Sequence, residues 1–153
     1  MSTALQSQPP SSSPAVLPIR TQALIAATAI RSGDRVVVIG QDGLDHLLGL
    51  ARTGCRSASA FRSHTLSRGE EEGADVVWLT GIDAIDSDID AIIDHLDTPR
   101  IVAIELTHDG AKARLPAVLG QLRAKGLVDQ AVTRAGGRTV VVASRPAWLR
   151  RVI

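Results

Sequence analysis

Aromatic residues are nearly missing from this chain of 153 residues: Phe61, Trp78 and Trp148 are all it has, and there is no Tyr. The core must therefore be built from Val, Ile, Leu and Ala, and the scarcity argues against binding of single-stranded nucleic acid, which stacks bases on aromatic faces. Cysteine is just as scarce. Cys55 alone cannot form an internal disulfide, which fits a reducing compartment. No apolar run approaches the roughly 20 residues that span a bilayer. The N-terminus lacks the charged head and apolar stretch of a secretion signal. A cytoplasmic location without membrane contact is the expectation. A net charge of +1 gives no overall pull toward nucleic acid or acidic lipid.

What remains is ordinary globular material, 44% hydrophobic and 22% charged, in a length that suits one domain. Residues 1–17 carry no charge and are dense in Ser, Gln and Pro, so they read as a flexible tail. Residues 18–153 then form the domain. Ile19 to Arg31 has helical spacing, and Ser32-Gly33-Asp34 stops it. Arg35 to Ile39 is an unbroken β-branched run, the pattern of a strand covered on both faces. Gly40 to Gly43 makes a tight turn into a helix over Leu44 to Thr53, with Leu44, Leu47, Leu48 and Ala51 on one face.

Cys55 to Phe61 is a poorer strand, followed by about a dozen polar residues that include Glu70, Glu71 and Glu72, a composition that suits a solvated loop or helix turn. Ala74 to Thr80 reads as a strand and Ile82 to Leu96 as a helix with a single isoleucine-rich stripe. Arg100 to Leu106 is another strand, and Ala111 to Lys125 another helix. Val128 to Arg134 and Arg138 to Ala143 are strands whose three-residue linker allows only an antiparallel hairpin. The expected architecture is one three-layer α/β, Rossmann-like domain. Its sheet of about six strands is mostly parallel, with a C-terminal antiparallel hairpin.

The leading helix followed by Gly33-Asp34-Arg35-Val36-Val37-Val38-Ile39-Gly40, and the hairpin from Val128 to Ser144, resemble the class I S-adenosylmethionine-dependent methyltransferases over residues 20 to 146. The resemblance implies a G-x-G-x-G turn approaching the cofactor, where this chain has Gly40-Gln41-Asp42-Gly43. It also implies an acidic residue on the ribose hydroxyls at the end of the second strand, where this chain has Phe61. Between Phe61 and Ala74 the family fits a helix, a strand and another helix, so one edge strand should be missing. After the next strand, Leu79-Thr80-Gly81-Ile82 stands in place of an Asp/Asn-Pro-Pro-aromatic motif. By resemblance, the cofactor-binding positions are Gly40, Asp42, Gly43, Phe61, Thr80 and Gly81. The departures imply a shortened, degenerate site with no bound cofactor, S-adenosylmethionine being the cofactor class if one binds.

Other constellations carry less. Asp42 and Asp45 would repel a dinucleotide pyrophosphate at the helix start and suit capping charges better. Asp86, Asp88 and Asp90 lack the glycine of a calcium loop. His46, His64, His95 and His108 have no metal-ligand spacing and read as surface residues, with His64 and His108 at strand ends where proton transfer would occur. No metal site is expected, and catalytic residues cannot be named. Glu105 ends a strand on the ligand side. Residues 82–97 hold Asp83, Asp86, Asp88, Asp90, Asp94 and Asp97 without Lys or Arg, whereas the C-terminus is basic. Trp148 with Arg145, Arg150 and Arg151 has the composition of an interface anchor for a protein partner or another copy. Three readings follow: a non-catalytic interaction or regulatory domain, a small active methyltransferase, or a basic nucleic-acid-binding module.

Overall fold

The computed structural model describes residues 19–62, 73–82, 88–96, 99–107, 111–135 and 138–146. Helix α1 (Ile19–Thr28) leads into β1 (Arg35–Gly40), α2 (Gly43–Ala51) and β2 (Ser57–Phe61). Then come β3 (Val76–Ile82), α3 (Asp88–His95), β4 (Ile101–Leu106), α4 (Ala111–Ala124), β5 (Asp129–Ala135) and β6 (Arg138–Ser144). The strands form one sheet in the order β2-β1-β3-β4-β6-β5. The β2–β1, β1–β3 and β3–β4 pairings are parallel, and β6 runs antiparallel to both β4 and β5. Among the described residues nothing pairs with the outer side of β2, which agrees with the shortened stretch after Phe61.

Both faces of the central strands are buried, which explains their unbroken apolar runs. Val37, Ile39, Val77, Leu79, Val102 and Ile104 point to one side, where α3 and α4 contribute Ile89, Ile93, Val118 and Leu122. Val36, Val38, Val76, Trp78 and Ala103 point to the other, against Leu24 of α1 and Leu50 of α2. Trp78 is fully buried there, and its indole donates to Thr28 Oγ1 at 3.3 Å.

One expectation shifts. Ile82 closes β3 instead of opening a helix, because the ladder to β4 is irregular between Leu79 and Ile82 and extends the strand by two residues. Helix α3 begins at Asp88, and residues 83–87 lie outside the described set. In α2 the face carrying Leu44, Leu48 and Ala51 looks outward, with Leu44 71% and Leu48 59% exposed. The buried residues of this helix are His46, Gly49 and Leu50.

Candidate functional site

In an open parallel sheet, ligands bind beyond the carboxyl ends of the strands, where neighbouring connections leave in opposite directions. Here that crevice lies between β1, which leads to α2 on one face, and β3, which leads to α3 on the other. At its base the β1–β3 ladder runs on by one residue past Gly40. Gln41 N–H donates to the Thr80 carbonyl at 3.1 Å, and the Thr80 hydroxyl donates to the Gln41 carbonyl at 2.8 Å.

The glycines fit this close packing. Gly40 has φ of 128°, and a Cβ there would lie 2.0 Å from the Thr80 carbonyl oxygen. Gly81 has φ of 60°, and a Cβ would meet the Gln41 side chain at 2.7 Å. Gly43 lets α2 approach β2, since a Cβ would lie 2.8 Å from that of Ala60. Close contact within the chain therefore accounts for each of the three glycines.

A chain of charges lies over the same strand ends. Glu105, at the end of β4, is 1% exposed. Arg20 from α1 reaches it with two donors, Nε at 2.8 Å from Oε2 and Nη2 on Oε1. The other arm of Arg20 pairs with Asp42 at 2.6 Å. Arg138 of β6 adds a contact of 3.3 Å to Glu105 Oε1, and the Gly81 amide, turned by the β3 irregularity, donates to the same oxygen at 3.0 Å. Burial pushes the Glu105 carboxyl up, but the hydrogen bonds and charge of Arg20, with Arg138 and Gly81, outweigh it and hold the group below the usual carboxylate range. The Arg20 hydrogen bond likewise lowers Asp42, and Arg20 itself is held charged, first by its hydrogen bond to Glu105. Carboxylates fixed in this way are poor proton acceptors.

His46 completes the group. It is 1% exposed, so the expected surface position is corrected: the phase of α2 turns it inward beneath α1. Nδ1 lies 2.9 Å from Thr21 Oγ1, and the ring meets Trp78 edge-on at 5.6 Å. Burial, aided by the charge of Arg20, pushes its pKa down and favours the neutral ring. Asp42 is the N-cap residue of α2 in a left-handed conformation, but its carboxylate makes no capping bond. Arg20 takes it instead.

Beside this network a cavity of about 820 Å³ opens between the start of α2 and the end of β2. Gly40, Asp42, Gly43 and Phe61 line it, together with Leu44 and Arg62. Thr80 and Gly81 are not among its lining residues; both are buried at the end of β3. Phe61 is half-buried and packs against the core with its polar-free ring.

No family profile matches this sequence, and no curated protein matches it. Solved structures do, and consistently. A ribosomal protein L11 methylase from Lactobacillus delbrueckii subsp. bulgaricus superposes with a TM-score of 0.62 at 15% identity, covering 82% of this chain and 77% of that one. The fold is that of the class I S-adenosylmethionine-dependent methyltransferases. Human methyltransferase-like protein 13, in complex with SAH, gives a TM-score of 0.59 at 14% identity over 85% of this chain and 83% of that one. An RNA methyltransferase from Salinibacter ruber, in complex with S-adenosyl-L-homocysteine, gives 0.53 at 13% identity, covering 84% and 91%. The six-stranded sheet is thus a methyltransferase-like sheet with β2 left at its edge.

The residues present fit S-adenosylmethionine poorly. Phe61 cannot accept hydrogen bonds from ribose hydroxyls, and Asp42 is already paired with Arg20. Among the expected partner-binding residues, Arg145 is buried, its Nε donating to the Pro99 carbonyl at 3.0 Å. Trp148, Arg150 and Arg151 lie outside the described residues, as do His64 and His108. Arg20, Gln41, His46 and Arg138 were not singled out by sequence as members of this site. Of these, Arg138 belongs to the basic C-terminal stretch.

Proposed function

We propose that this chain is a degenerate methyltransferase-like domain, non-catalytic, acting as a protein-interaction or regulatory module. One observation carries the reading. Arg20 spans the strand ends where this fold class holds a ligand, bridging Asp42 after β1 and Glu105 at the end of β4. A ligand entering over those strand ends would have to displace a partly buried ion pair, leaving Glu105 charged and under-paired.

A second reading, a small active S-adenosylmethionine-dependent methyltransferase, draws support from the cavity beside Phe61. In that case Gly40, Asp42, Gly43 and Phe61 would line the ligand, with Thr80 and Gly81 behind them. The nucleic-acid reading loses ground because Arg138 and Arg145, two of its basic residues, are committed to Glu105 and Pro99 within the chain.

Calorimetric titration with S-adenosylmethionine and S-adenosylhomocysteine separates the first two. The proposal expects no saturable heat from folded protein. Micromolar binding would establish the second reading in its place. Gly43→Arg is a poor control for such a titration, because any side chain at that position displaces α2 from Ala60.

A further inference from the structure

Helix α2 is amphipathic the wrong way round for a helix whose work is only to cover a sheet. Its buried side carries His46, Gly49 and Leu50, while Leu44, Leu47, Leu48 and Ala51 form a second apolar stripe on the opposite side. Leu47 is half-buried, and Leu44, Leu48 and Ala51 are exposed. Solitary exposed leucines need no explanation, but a stripe at positions i, i+3, i+4 and i+7 marks a contact surface.

The charges beside the stripe indicate what contacts it. Asp45 and Arg52 are both exposed and lie seven residues apart, two helical turns, hence on the same flank of the stripe. Arg52 keeps helical backbone angles (φ −80°, ψ −13°) at the C-cap, so the phase holds to that residue. One flank thus has an acid at its beginning and a base at its end. When two such helices pair antiparallel about a two-fold axis, like flanks meet, and Asp45 of each copy faces Arg52 of the other. The apolar residues then pack Leu44 toward Ala51 and Leu47 toward Leu48. A patch complementary to itself is the requirement of an isologous dimer.

We infer that α2 is a homodimer interface, built by the stripe Leu44, Leu47, Leu48 and Ala51 and oriented by two reciprocal Asp45–Arg52 pairs between copies. This deepens the interaction-module reading by naming the partner as a second copy of this chain. Leu44 and Leu47 also line the cavity beside Phe61, so dimerisation brings the partner helix over that cavity's open side.

Sedimentation equilibrium on the full chain tests this at concentrations up to about 100 µM. The expected result is a species of twice the chain's mass. Leu48→Glu, at a surface position that leaves the core intact, should weaken association at least ~10-fold, and Asp45→Arg should do the same by opposing two like charges. The double variant Asp45→Arg/Arg52→Asp should restore association to within about threefold of wild type, a rescue that a merely destabilising change would not give. Three results would overturn the inference: a monomer across the whole range, undiminished association of Leu48→Glu, or no rescue in the swapped pair. The cofactor titration reads a different quantity, so a monomer that ignores S-adenosylhomocysteine would sink the dimer and leave the degenerate-site proposal standing.

Discussion

Thr80 and Gln41 exchange two hydrogen bonds across the gap between β1 and β3, each using its backbone carbonyl as acceptor. The β1–β3 ladder therefore runs one residue past Gly40, and the Thr80 side chain fixes its end. Arg20 lies near it as a bridge from Asp42 to Glu105. The contacts around these strand ends have measurable consequences.

Gly40→Ala should be severely destabilising, by about 3 kcal/mol or more, because the new Cβ meets the Thr80 carbonyl in a backbone conformation that L residues avoid. Gly33→Ala is the control. Nothing lies within 4 Å of its Cβ direction, and its φ is not in the left-handed region, so the change should be neutral or slightly stabilising. Urea midpoints of the two variants check the contrast. Equal stability would mean that β1 and β3 are not in close contact at this point.

Glu105→Gln should cost about 2 kcal/mol, less than a fully buried pair would, because Arg20 and Arg138 are each about a quarter exposed. The pH dependence has a definite sign. The folded-state pKa of Glu105 lies below its ordinary value near 4.5, so its contribution is complete above that value and lost as pH falls through the folded pKa. Denaturation midpoints taken through the acid range should show a steeper loss in wild type than in the Gln variant.

His46 sets a second window. Its pKa is depressed from an ordinary 6.5 by burial, so the unfolded chain binds more protons just below that value and stability declines as pH drops under it. His46→Leu should remove this slope while costing about 1 kcal/mol at neutral pH for the Thr21 hydroxyl it leaves unpaired. Thermal melts of both proteins across the window provide the comparison. An unchanged slope in the variant would place the titrating group elsewhere.

Much of this fold was legible because strand burial leaves a strong sequence trace. Runs such as Val36 to Ile39 and Ile101 to Ile104 lack alternation since both faces are covered, and the short linker after Arg134 dictated the antiparallel pairing of β5 and β6. The expectation of a missing edge strand followed from the few residues available after Phe61, and among the described residues β2 stands at the edge of the sheet. The phase of α2 was not legible. Leucines on one side of a nine-residue helix suggest a core face, but the opposite side, with His46 and Leu50, was the one that met α1 and the sheet.

The site was harder to read for a different reason. Arg20 and Glu105 are 85 residues apart, and no local pattern announces that one will reach the other. Glycines pose the converse problem. Gly40, Gly43 and Gly81 could each serve a ligand or a neighbouring segment, and only the distances to Thr80, Ala60 and Gln41 show which contacts they admit.

The most direct test of the non-catalytic reading follows the backbone amides of Gly40, Gln41, Gly43, Phe61, Thr80 and Gly81 by NMR while S-adenosylhomocysteine is added. The account predicts that these resonances stay where they are up to millimolar ligand, with the hydrogen bonds between Gln41 and Thr80 intact. Saturable shifts centred on these residues would show that a cofactor binds here, and the reading of a non-catalytic domain would have to be abandoned.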